Sequence, residues 1–124
     1  MDELSHFEKR LAPDETVYRQ GETSREMYYI RKGKVEISTM NWGVEKILAV
    51  LGTGEFFGET ALTDSSPRIY TATAIEETEL LIIDKDSFEA NLAANPVLKY
   101  ILETLIQRLR DVTALVSSKD EVKI

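Results

Sequence analysis

The sequence predicts a mainly β fold, an antiparallel sandwich or barrel flanked by helices. Short runs rich in Val, Ile, Tyr and Thr recur between glycines over residues 14–84. Helical periodicity takes over after Asp84. A length of 124 residues suits one domain with one core, spanning 1–124.

At the start, Leu4, Phe7 and Leu11 stand at i, i+3 and i+7, which predicts an N-terminal amphipathic helix over 1–13, stopped by Pro13. The β region follows as TVYRQG, MYYIRKGKVEIS, VEKILAVLGTG and TATAIEETELLIID. Val35 and Ile37 alternate with Glu36 and Ser38, as a strand with one wet face requires. Lys32-Gly33-Lys34 and Asn41-Trp42-Gly43 read as hairpin connections, glycine supplying positive φ. Over 85–117 the chain reads as helices. Asp84 or Asp86 caps a short one through Phe88 and Leu92, and Asn95-Pro96 opens a long one. Along the long helix Leu98, Leu102, Leu105, Leu109, Val112 and Val116 alternate in spacings of four and three, widened by Ile101, Ile106 and Leu115. Such a seam packs on the strands and also favours a partner helix, so a homodimer through this helix is expected. Residues 118–124 form a polar tail.

Composition removes several function classes. A net charge of −7 speaks against a nucleic-acid-binding surface, which needs a field of Lys and Arg. No apolar run approaches the ~18 residues of a membrane helix, and the charged start is no secretory signal. The lack of cysteine rules out disulfides and thiolate metal sites and is compatible with a reducing compartment, so cytoplasmic placement is expected. His6 is the one histidine, read as a surface or packing residue, and no metal site is expected.

The chemistry concentrates in FGETALTDSSPRIYTATA, residues 57–74. A phosphodiester taken out of water must meet fixed donors. Arg68 offers a planar fork for two phosphate oxygens, and Pro67 restricts the backbone before it. Glu59-Thr60-Ala61-Leu62 can form one helical turn whose amides face the same anion, and Gly58 would let a ligand approach closely. Glu59 would repel a phosphate, but a carboxylate accepts a hydrogen bond from a ribose 2′-OH. The pair therefore suits a nucleotide with a free 2′-OH beside its phosphate. The bland alternative is a surface ion pair worth under ~1 kcal/mol.

At these residues the chain resembles the cyclic nucleotide-binding domain family of catabolite activator proteins, protein kinase A regulatory subunits and cyclic-nucleotide-gated channels. The resemblance lies in Phe57-Gly58-Glu59-Thr60-Ala61-Leu62, Pro67-Arg68-Ile69-Tyr70-Thr71 and Ala74. Gly21, Gly33, Gly52, Gly54 and the closing helices extend it over nearly the whole chain. It implies an eight-stranded jelly-roll barrel with an N-terminal and a long C-terminal helix, no catalysis, Glu59 on the ribose 2′-OH and Arg68 on the cyclic phosphate. In that family the C-terminal helix lies over the base and in the dimeric members is also the dimer seam, and Thr113 falls near where such a helix can offer a hydroxyl to the base. Ile69 and Tyr70 depart from the small residues the family keeps after its arginine, and bulk there is expected to lie against the phosphate. Thr60 replaces an apolar residue. The missing hydroxyl at Ile69 leans towards cAMP over cGMP.

The leading expectation is thus a non-catalytic regulatory module in which cyclic nucleotide binding moves the C-terminal helix and signals to an effector protein. The alternative keeps the fold and loses the ligand, leaving a dimerisation or docking module, and Ile69-Tyr70 is its support. A metal-dependent cupin enzyme would need a histidine cluster that His6 alone cannot provide. A DNA-reading helix pair after the long helix is not in the sequence, so direct DNA binding is not expected.

Overall fold

The computed structural model describes residues 7–62 and 66–120, with residues 60, 110 and 112–120 described by backbone alone. The strands are β1 (Glu8–Leu11), β2 (Thr16–Tyr18), β3 (Glu26–Lys32), β4 (Lys34–Asn41), β5 (Val44–Gly52), β6 (Phe56–Phe57), β7 (Thr71–Ala74) and β8 (Thr78–Asp84). A 3-10 turn spans Glu59–Leu62, and the helices are α1 (Lys85–Leu92) and α2 (Pro96–Asp120). The strands form two four-stranded sheets, β1-β8-β3-β6 and β2-β7-β4-β5, with every pairing antiparallel. This is the β jelly-roll with flanking helices that the sequence predicts.

The topology follows from two bends in one long ribbon. The run 26–41 pairs with 71–84, but β3 pairs with β8 in one sheet while β4 pairs with β7 in the other. Lys32-Gly33-Lys34 is therefore not a hairpin but a corner where the chain changes sheets. The physical reason is close approach. At Gly33 (φ +108°) a Cβ would stand 2.4 Å from Thr78 Oγ1 and 2.7 Å from the Glu77 carbonyl oxygen. The fully buried Thr78 ties the corner, its hydroxyl donating to the Glu76 carbonyl at 2.8 Å and accepting from the Lys34 amide at 3.3 Å. Asn41-Trp42-Gly43 does make a hairpin, with Asn41 opposite Val44 and positive φ at Trp42 (56°) and Gly43 (77°). Both central residues left-handed is the type I′ arrangement, whose twist suits a two-residue loop.

A second correction concerns the start. Residues 8–11 are strand β1 rather than part of a helix over 1–13, pairing Glu8 with Leu81 and Leu11 with Thr78. Phe7 is exposed while Leu11 is buried, so the helical spacing does not give them a common face. Ladder bonds along the β8 edge outweigh the little that one or two isolated helical turns offer. Leu4 and His6 lie outside the described residues.

Between the sheets Leu11, Tyr18, Tyr28, Ile30, Val35, Ile37, Leu51, Phe57, Ala72, Ala74 and Leu80 form the core. Val35 and Ile37 point inward as their alternation predicts, Ser38 is buried as well, and the ladder bulges on the β5 side opposite Ile37 and Ser38. At the helical end Asp84 caps α1, accepting from the Ser87 amide at 3.1 Å, while Asp86 pairs with Arg25 at 2.6 Å. Asn95 caps α2, accepting from the Leu98 amide at 3.1 Å, with Pro96 as the first helical residue. Residues Leu98, Ile101, Leu105 and Leu109 of the α2 stripe remain 41–53% exposed. The side chains of Val112, Leu115 and Val116 lie outside the described residues. No helix among the described residues is long and apolar enough to cross a membrane.

Candidate functional site

Strand β6 ends the aromatic core at Phe57, and the chain then turns sharply at Gly58 (φ 76°) into the 3-10 turn. The Ala61 amide closes that turn on the Gly58 carbonyl at 3.2 Å. Phe57, Glu59, Ala61 and Leu62 are all buried. Burial of Glu59 at 4% exposure sets it apart from a surface carboxylate.

Arg68 comes in from the far side of the cassette and is 6% exposed. Its backbone is pinned first: the Gly21 amide donates to the Arg68 carbonyl at 2.6 Å, and the Arg68 amide donates to the Glu22 carbonyl at 2.8 Å. The guanidinium then donates from Nη1 to the Gly58 carbonyl at 3.0 Å and from Nη2 to Ser24 Oγ at 2.9 Å. Nη2 also donates to the Glu26 carbonyl. Its Cζ lies 4.1 Å from the centroid of the Tyr18 ring. The Nε–H is enclosed and has no acceptor among the described residues. A buried donor left in that state is costly, so the arrangement is primed for an acceptor.

Gly58 has a positive φ of 76°, and a Cβ there would also stand 2.9 Å from Nη1 at the far end of the Arg68 side chain. Tyr18 senses both charged partners. Burial first, and Glu59 second, push its phenol up to about 12 against the opposing pull of Arg68, so it is neutral near pH 7. Burial, followed by the Glu26 carboxylate, pushes Tyr28 up as well.

Of the residues singled out from sequence, Phe57, Gly58, Glu59, Ala61 and Arg68 gather here. Pro67 is exposed. Ile69 is 62% exposed and directed to solvent, and Tyr70 is half-buried and packs on the core. The expected bulk after Arg68 therefore divides, one side chain outward and one into the barrel. The side chains of Thr60 and Thr113 lie outside the described residues. Tyr18, Ser24 and the Glu26 carbonyl join the arginine without having been singled out, and also wall a cavity of about 430 Å³. Neither that cavity nor a larger one of about 700 Å³, lined by Tyr29, Phe56, Leu81 and Phe88 among others, is lined by any of the candidate binding residues.

Two antiparallel sheets closed on an aromatic core, with an inturned arginine and a buried glutamate at a glycine turn, define the class: a jelly-roll domain built around one polar site. The family is equally plain. The model for the cyclic nucleotide-binding domain matches residues 8–95, and the chain belongs to that family. It is 37% identical over 111 residues to the cyclic AMP receptor protein of Thermus thermophilus, covering 87% of this chain and 51% of that one. The chain thus spans about half the length of that relative. The solved T. thermophilus catabolite activator protein matches with a TM-score of 0.74 at 31% identity, over 94% of this chain and 56% of that one. The regulatory domain of Toxoplasma gondii PKA, crystallised with cAMP, matches with a TM-score of 0.64 at 30% identity, over 67% and 32% of the two chains.

Proposed function

We propose that the protein is a non-catalytic cyclic nucleotide sensor that takes cAMP in preference to cGMP. Arg68 holds the cyclic phosphate, Glu59 accepts from the ribose 2′-OH, and Thr113 offers its hydroxyl to the base. Phe57, Gly58, Thr60, Ala61, Pro67, Ile69 and Tyr70 complete the binding segment. One observation carries this reading: an enclosed Arg68 Nε–H without an acceptor among the described residues, in a barrel that also buries Glu59. A phosphate oxygen would supply what that donor lacks. The outward Ile69 supports the reading too, because its side chain does not fill the barrel. Binding shifts the population of α2 positions, and the shift passes to an effector protein. The exposed apolar stripe on α2 supports a homodimer through that helix.

A second reading has an observation of its own. Protein acceptors at Gly58, Ser24 and Glu26 already hold the guanidinium. An arginine so engaged also serves as a structural plug in a fold that has lost its ligand and works as a dimerisation or docking module. Calorimetric titration of nucleotide-free protein with cAMP and cGMP separates the two. The sensor binds both, cAMP more tightly, and Arg68→Ala weakens binding about a hundredfold or more, as truncation of one partner in a buried charged pair does. Silence at millimolar nucleotide establishes the plug. Equal affinity in Arg68→Ala removes Arg68 as the phosphate ligand.

A further inference from the structure

The acceptors at Gly58, Ser24 and Glu26 reach only the edges of the guanidinium. Hydrogen bonds to such an ion lie in its plane, so they resist sliding but do little against tilting out of the plane. Restraint in that direction must come from a group on the face, and the Tyr18 ring is there, with Arg68 Cζ 4.1 Å from its centroid. The ring is itself held. It meets Tyr28 at 6.0 Å and Phe57 at 6.1 Å between centroids, and those two rings stack at 5.1 Å. Backbone bonds at Gly21 and Glu22 fasten Arg68 to the same β2–β3 connection that carries Ser24. The arginine is thus cradled mainly from the β2–β3 side, with the cassette contributing the Gly58 carbonyl.

We infer that Tyr18 is the positioning residue of the site, its ring face holding the Arg68 guanidinium flat and in place for an incoming anion. This rests on the reading of Arg68 as the phosphate ligand. The face does the holding rather than the hydroxyl, since a ring quadrupole attracts a desolvated cation whether or not it carries a phenol. Holding the fork in place before the ligand arrives spares the complex an ordering cost, which appears as affinity.

Three proteins test it: wild type, Tyr18→Leu and the conservative Tyr18→Phe. In ligand-free wild type, NMR should find the Arg68 side-chain protons displaced upfield by the ring current. Tyr18→Phe keeps that displacement and Tyr18→Leu abolishes it. Calorimetry with cAMP should show affinity about tenfold weaker in Tyr18→Leu and restored in Tyr18→Phe, in line with a cation–π contact out of water. Undisplaced Arg68 protons in wild type overturn the inference, and so does cAMP affinity in Tyr18→Leu within twofold of wild type. Weaker binding with the Arg68 signals unmoved also overturns it, because that pattern means general packing. Should Tyr18→Leu fail to fold, wild type and Tyr18→Phe still decide through the ring-current displacement. If wild type does not bind cAMP at all, the sensor reading falls, while the NMR comparison still decides what Tyr18 does for Arg68.

Discussion

The arginine cradle and helix α2 are opposites in how the chain satisfies its own groups. Around Arg68 nearly every valence is answered from within: backbone, hydroxyl, carbonyl and ring converge on one side chain. On α2, Leu98, Ile101, Leu105 and Leu109 keep close to half of their surface in water. The barrel closes on itself, whereas the helix carries an apolar stripe with more surface than this chain covers. The proposed sensor would need both, a rigid place to hold a ligand and an element free to change its packing.

The largest expected effect lies on the rigid side. Gly33→Ala forces a Cβ onto Thr78 and the Glu77 carbonyl at a positive φ, and should lower stability by about 3 kcal/mol, read from urea unfolding midpoints. A loss below about 1 kcal/mol would mean that the corner yields and the barrel is less rigid than the contrast requires. Tyr18 sharpens the same side through pH. Its folded value, about 12, lies above the ordinary 10, so the folded state holds the phenolic proton more tightly than the unfolded chain does. Its contribution is complete below pH 10 and drains away between pH 10 and 12, about 3 kcal/mol in all. Denaturation curves across that window should be flatter for Tyr18→Phe than for wild type. The smallest effect on folding belongs to α2. Leu105→Glu, at a site 53% exposed, should change stability by less than about 0.5 kcal/mol. Sedimentation should nevertheless show it moving the protein from dimer to monomer. Wild type sedimenting as a monomer would end the dimer proposal, and a large stability loss would mean that the helix belongs to the barrel after all.

How much was legible divides along sequence separation. Strand content, the caps at Asp84 and Asn95 and the Asn41-Trp42-Gly43 turn are local, and local chemistry decides them. Gly58, Glu59 and Arg68 stood out because glycine, an acid and Pro-Arg fall close together in one segment. Ser24 did not, because its bond to Arg68 spans 44 residues and a serine in a loop carries no signal of its own. Tyr18 read simply as a strand aromatic. Gly33 is ambiguous for a related reason: a glycine between two lysines looks like a turn, and only the distant Thr78 shows it to be a corner. The size of Ile69 is legible in the sequence but its direction is not, and the backbone there turns it to solvent.

Trp42, the chain's single tryptophan, sits fully exposed at the tip of the β4–β5 hairpin. Its indole is bathed in solvent in the folded protein and in the unfolded one alike, so its emission colour should scarcely change as the barrel melts. Unfolding followed by that signal would look like nothing happening. The same blindness makes it a clean reporter, since a blue shift would register a surface arriving at the hairpin.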